Sequence, residues 1–198
     1  MLQRLAKSMA RFFFVQNIIQ SEYEEIYAYG AEILLSTVIN CIIVLIIALI
    51  TDTFFPTMIF LTVFILIRRN AGGYHAKTHM GCAAILIFVQ LFFSAVIIHM
   101  PNMVVPIFSY AVMLVSCISV YVLAPVEHPN KPLKNDEKVV LRKRSLMYVM
   151  VISVINIILI FAKYEEISLY ISYGLLVAVA AMIAEKAIPA YKDAGEKL

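Results

Sequence analysis

His75, His79 and Cys82 fall within one short run, Arg68-Arg-Asn-Ala-Gly-Gly-Tyr-His-Ala-Lys-Thr-His-Met-Gly-Cys82. It is the polar, glycine-broken interval of an otherwise apolar first half. A thiol attacks a carbonyl as the thiolate, and a neighbouring imidazole is the usual means of generating one near neutral pH. The run therefore raises a cysteine–histidine nucleophile and base. Spacing does not say which histidine serves. On a continuous helix, residues seven apart share a face but stand about 10.5 Å apart along the axis, beyond the reach of a hydrogen bond. His75 can serve Cys82 only if the chain bends between them, and Gly81 is the natural place. His79, three residues away, reaches Cys82 on an unbroken turn. Two other readings stand beside this one. His75, His79 and Cys82 at i, i+4 and i+7 also form a metal-ligating face, although a tetrahedral zinc site needs a fourth group. A solvated boundary loop with incidental His and Cys is the plainest reading.

The elements that must hold these residues are membrane helices. Of 198 residues, 63% are apolar and 15% charged, against about half and about a quarter in a soluble domain. A chain of this size cannot hide that much apolar surface from water. The expected architecture is all-α: a single integral membrane domain over residues 1–198, with six spans and an N-terminal interfacial helix. The apolar runs are 30–50, 54–67, 83–100, 103–124, 146–162 and 167–187. The second is short for a span of about 20 residues, so it either extends through Arg68 and Arg69 or re-enters. Pro56 suits its first turn. Met100-Pro-Asn-Met103 reads as a tight turn that makes a hairpin of the third and fourth spans.

Basic residues set the orientation. With six spans, segments 1–29, 68–82, 125–145 and 185–198 share one side and carry fifteen of the sixteen Lys and Arg, leaving Lys163 opposite. Cytoplasmic loops hold the Lys/Arg excess, which puts both termini and residues 68–82 in the cytoplasm of a multi-pass cell-membrane protein. In residues 1–20, Leu2, Leu5, Met9 and Phe12 alternate at helical spacing with Arg4, Lys7 and Arg11. That is the pattern of an amphipathic helix lying on anionic lipid. Ser21-Glu-Tyr-Glu24 matches a capping box for the first long helix. The segment 125–145 reads as a proline-punctuated basic loop, chiefly a topology signal and otherwise a contact for an anionic peptide or lipid.

Cys41 and Cys117 lie in apolar runs, where cysteine behaves as a small buried residue, and three cysteines imply no disulfide framework. The N-terminus lacks the apolar core of a signal peptide. Glu32, Ser36 and Asn40 recur at four-residue intervals in the first span, and Gln90 lies in the third. Their plain reading is hydrogen bonding between helices; their functional reading is a polar cavity for a substrate next to Cys82. A transporter lined by these groups is the non-enzyme alternative, but it gives the thiol and imidazole no role. No rhomboid-type Gly-x-Ser-Gly element occurs. Neither a cofactor nor a nucleic-acid partner is expected.

The run from Arg68 to Cys82 resembles the signature of the accessory gene regulator protein B (AgrB) family, and the chain length, the span layout and the Pro-rich basic loop after the fourth span resemble it too. That resemblance implies a membrane cysteine endopeptidase of quorum sensing with Cys82 as nucleophile and His75, rather than His79, as base. The implied substrate is an AgrD-like propeptide. Its C-terminal tail leaves, a thioester remains on Cys82, and an internal Cys or Ser closes a thiolactone or lactone ring. The resemblance leaves room for a homodimer. No Asp or Glu lies in 68–82 to orient His75, Asn70 being a weak candidate, and backbone N–H groups where a helix enters at residues 81–83 are the natural oxyanion donors.

Overall fold

Each long apolar run becomes a helix because a bilayer leaves backbone polar groups no partner except one another. The computed structural model describes residues 2–74, 79–126 and 135–187. Among them the elements are α1 (Leu2–Val15), α2 (Glu24–Ile50), α3 (Phe54–Ala71), α4 (His79–Ala95), α5 (Val105–Leu123), α6 (Asn135–Phe161) and α7 (Glu165–Ala187). Short 3-10 turns, Ser21–Tyr23 and Ile97–His99, precede α2 and follow α4. Among the described residues six helices, α2 to α7, are long and apolar enough to cross a membrane. Ile42, Ile46 and Leu49 of α2 and Ile107, Leu114 and Ile118 of α5 face outward and exposed. Lipid rather than water suits such surfaces.

The second span settles at 18 residues because α3 runs on through Arg68 and Arg69 to Ala71. That is about 27 Å of helix, close to the hydrocarbon thickness. At the start of α2, the capping box expected from Ser21 and Glu24 does not form. A 3-10 turn occupies Ser21–Tyr23, and neither Gln20 nor Tyr23 makes a side-chain cap hydrogen bond. Glu24 and Glu25 instead place negative charge on the first turn of α2, where the helix dipole favours it. The basic segment 125–145 is also less of a loop than its prolines suggest. From Asn135 onward it is the first turns of α6, with Asp136 and Glu137 at the positive helix end. Lys and Arg are good helix formers, so the charged turns extend the apolar run without a break. Arg142 donates to Tyr121 O at 3.0 Å and lies over the Tyr121 ring, joining α6 to the end of α5.

α7 is the central helix, packed on α3, α5 and α6. Gly174 allows the closest approach: a Cβ there would lie 2.7 Å from Phe60 O and 2.9 Å from Val63 Cβ. Phe60 (α3), Phe93 (α4) and Tyr173 (α7) bring their rings together with centroids 4.8 to 5.3 Å apart, and Tyr173 Oη donates to Val89 O at 2.8 Å. Small hydroxyls and an amide tie the other interfaces, Ser168 to Ser109 at 3.1 Å and Asn156 to Ser172 at 2.9 Å. The hairpin expected for the third and fourth spans is not a packed unit. α4 packs along α2, whereas α5 packs along α7 and α6. The turn joins two helices whose faces match other partners. α1 packs on α2. It buries Ala6 and Ala10, leaves Leu5 and Phe12 exposed, and only half-buries Met9 and Phe13. Its contact edge is thus the small-residue one, because alanines let the two backbones approach closely.

Candidate active site

The site begins where α3 stops. Gly72 and Gly73 carry φ of +80° and +144°, in the left-handed range that suits glycine. Gly72 is also pressed against the Val126 carbonyl, with no room for a Cβ. Val126 N–H donates to Ala71 O and Tyr74 N–H to Ala181 O, both at 2.8 Å. The segment leaving α3 is therefore pinned between the end of α5 and the last turns of α7. The bend expected at Gly81 is not made there, and residues 75–78, between this turn and α4, lie outside the described residues. Gly81 lies inside α4, which is unbroken from His79.

Cys82 occupies the first turn of α4, half-buried. First-turn amides belong to residues 79–82, two residues earlier than the entry expected at 81–83, so Cys82 stands in the first turn of the helix. Asn40, buried in α2, donates its Nδ2–H to Cys82 Sγ at 3.6 Å. Arg68, in the last turn of α3, donates to the Tyr74 carbonyl and lies over the Phe64 ring at 5.4 Å. Its guanidinium is within electrostatic range of both the Cys82 sulfur and the Glu185 carboxylate on α7. Thus α2 meets the sulfur directly through Asn40, and Arg68 of α3 links its surroundings to Glu185 of α7, at the end of the bundle that holds the Lys/Arg excess.

His75 lies outside the described residues, and the side chain of His79 is likewise not described. The choice between the two histidines and the three-residue metal face both rest there. Asn70, the weak candidate for orienting His75, turns its amide back to Leu66 O at 2.9 Å on its own helix. The polar residues of the spans divide by role. Gln90 joins Thr53, Thr57 and Ser94 in a closed hydroxyl–amide cluster far from the thiol, with contacts of 2.9 to 3.3 Å. That is the plain interhelical reading. Asn40 alone of the singled-out span residues is shown on Cys82. Arg68 and Glu185 were not singled out by spacing. A charged residue at the inner end of a span is the one sequence signal that Arg68 offered, and Glu185 arrives from a helix far along the chain.

These features define a polytopic α-helical membrane protein with a free cysteine at a helix N-terminus, faced by an amide and a guanidinium. Residues 3–183 match the family described as Accessory gene regulator B. The chain belongs to that family, one of quorum-sensing propeptide processing. It is 25% identical over 196 residues to "Putative AgrB-like protein 2" of Clostridium perfringens, covering 93% of this chain and 86% of that protein. It is 30% identical over 153 residues to "Protein FsrB" of Enterococcus faecalis, covering 75% of this chain and 60% of that protein. No solved structure matches.

Proposed function

We propose that the protein is a cysteine endopeptidase that cleaves an AgrD-like propeptide at the cytoplasmic face of the membrane, with Cys82 as nucleophile and His75 as base. The observation that carries this reading is the setting of one sulfur among three. Cys41, Cys82 and Cys117 are all free thiols. Cys117 sits in α5 against Ser153 of α6 at 3.7 Å, and Cys41 lies in the middle of α2. Cys82 is in the first turn of α4, with the buried Asn40 amide donating to its sulfur. Acyl transfer by a thiol needs a base in reach, and of the three cysteines Cys82 is the one that has histidines close by in sequence.

The reaction follows from that chemistry. Thiolate adds to a peptide carbonyl, the C-terminal tail departs as an amine that takes the proton held by the base, and a thioester remains on Cys82. A thiol or hydroxyl within the retained peptide then attacks the thioester, frees Cys82 and closes a thiolactone or lactone. Exchange of one thioester for another is nearly balanced, whereas forming a thioester from an amide is uphill. Loss of the tail supplies the drive. The glycine pair and the basic inner end give the propeptide a polar approach to the thiol, and α1 offers an amphipathic neighbour on the same leaflet. Co-expression with an AgrD-like propeptide tests the reading: tail release and ring formation are expected from the wild type and absent in Cys82→Ala.

A further inference from the structure

We propose that Asn40 is an oxyanion-stabilising catalytic residue: its side-chain amide, held on the Cys82 sulfur from α2, donates to the carbonyl oxygen that becomes anionic when Cys82 attacks. The inference rests on Cys82 being the nucleophile and adds a group that sequence motifs around Cys82 do not contain. Asn40 is 6% exposed, and Cys82 Sγ at 3.6 Å is the side-chain hydrogen-bond partner it shows among the described residues. Burying an amide among apolar helices is costly unless its donors and acceptor are matched. Thiol sulfur is a weak acceptor, so this contact repays little of that cost. Gln90 is the internal comparison. Its amide nitrogen and oxygen are matched by Thr53, Thr57 and Ser94, as expected of a residue that joins helices. Asn40 instead directs its amide donor at the reacting atom.

The geometry fits the chemistry. As sulfur bonds to the carbonyl carbon, the C=O π pair moves onto oxygen, and the thiol proton has passed to the base. The oxyanion stands one carbon from the sulfur, so a donor 3.6 Å from Sγ reaches it within the about 2.7–3.1 Å that an effective donor needs. When the intermediate collapses, the pair returns to re-form C=O, the C–N bond breaks, and the base returns its proton to the leaving amine. Asn40 supplies the hydrogen bond throughout and is unchanged at the end. In a site walled by apolar helices such a donor acts at low dielectric, where it is strongest.

Two small probes separate this role from mere positioning of the thiol. Acylation of Cys82 by p-nitrophenyl acetate passes through an oxyanion, whereas alkylation by iodoacetamide is a displacement at carbon that forms none. Both rates are measured on the full-length protein in liposomes, with Cys41 and Cys117 replaced by Ala and with the Cys82→Ala rate subtracted. Asn40→Leu keeps the volume and removes the donor. It is expected to slow acylation by on the order of 10²–10³-fold while alkylation stays within about threefold of the parent, which also reports an intact site. Asn40→Gln retains an amide and is expected to recover at least about tenfold of the acylation rate lost in Asn40→Leu. Equal falls in both rates overturn the inference, because Asn40 then acts on the thiol itself. Unchanged acylation in Asn40→Leu overturns it too, while leaving Cys82 as nucleophile. Acylation that is no faster than in Cys82→Ala removes the nucleophile and the inference together.

Discussion

Asn40 of α2 meets Cys82 of α4 at 3.6 Å, and at the other end of the same interface Thr51 meets Ser94 at 3.2 Å. The two contacts fix the parallel register of α2 on α4. They also fix the depth of the thiol, because the helical rise puts it about 17 Å along the axis from the hydroxyl cluster.

Orientation sets the labelling expected of Cys82. A small charged methanethiosulfonate added to intact cells is expected to leave it unmodified, and in inverted vesicles to label it. A bulky polyethylene-glycol maleimide is expected to lag the small reagent by at least about tenfold in those vesicles, since the sulfur is half-buried among helices. Strong labelling from outside the cell would overturn the orientation drawn from the Lys/Arg excess.

Cysteine substitutions separate one sulfur from the other two. Cys82→Ala is expected to lower propeptide cleavage by on the order of 10³-fold or more, to background. Cys41→Ala and Cys117→Ala are expected to stay within about threefold of wild type, since the interface that Cys117 makes with Ser153 is a weak contact. Cleavage retained by properly inserted Cys82→Ala protein is the result that would end the protease reading.

The histidines are distinguished by the same assay. His79 opens α4 three residues before Cys82, so helix geometry places them one turn apart. His75 lies outside the described residues, and the family resemblance names it as the base. His75→Ala is expected to abolish cleavage and His79→Ala to retain most of it. The opposite pattern would assign the base to the helical pair. Loss in both variants, together with loss on adding a chelator, would point to the metal face.

Two glycines test the loop that carries the site. Gly72→Ala forces a side chain into a positive φ and against the Val126 carbonyl. It is expected to cost at least about 1–2 kcal/mol and to lower the unfolding midpoint in detergent. Gly30→Ala, in α2 with nothing within 4 Å of the added carbon, is expected to be neutral or to stabilise by up to about 1 kcal/mol. A Gly72→Ala protein as stable as wild type would show that the turn between α3 and α4 tolerates a side chain.

The helices were legible because lipid enforces a simple code. A run of about 20 apolar residues has no alternative to helix inside a bilayer, so all six spans could be read from composition, and the basic residues partition cleanly between the two sides. Short-range chemistry was legible as well: His75, His79 and Cys82 are neighbours in sequence whatever the fold does. Pairing of helices was not. Apolar faces of spans look alike in sequence, which is why the turn at 100–103 suggested a hairpin that α4 and α5 do not pack into. Nor was the environment of the sulfur. Asn40, Arg68 and Glu185 come from three helices whose order in sequence says nothing about their order in space. Asn40 and Gln90 look equivalent as polar residues in apolar runs, yet one meets the thiol and the other closes a distant cluster. Only the packing of α2 along α4 decides which polar group meets the reacting atom, because side-chain contacts across helices depend on rotation and register that no single span encodes.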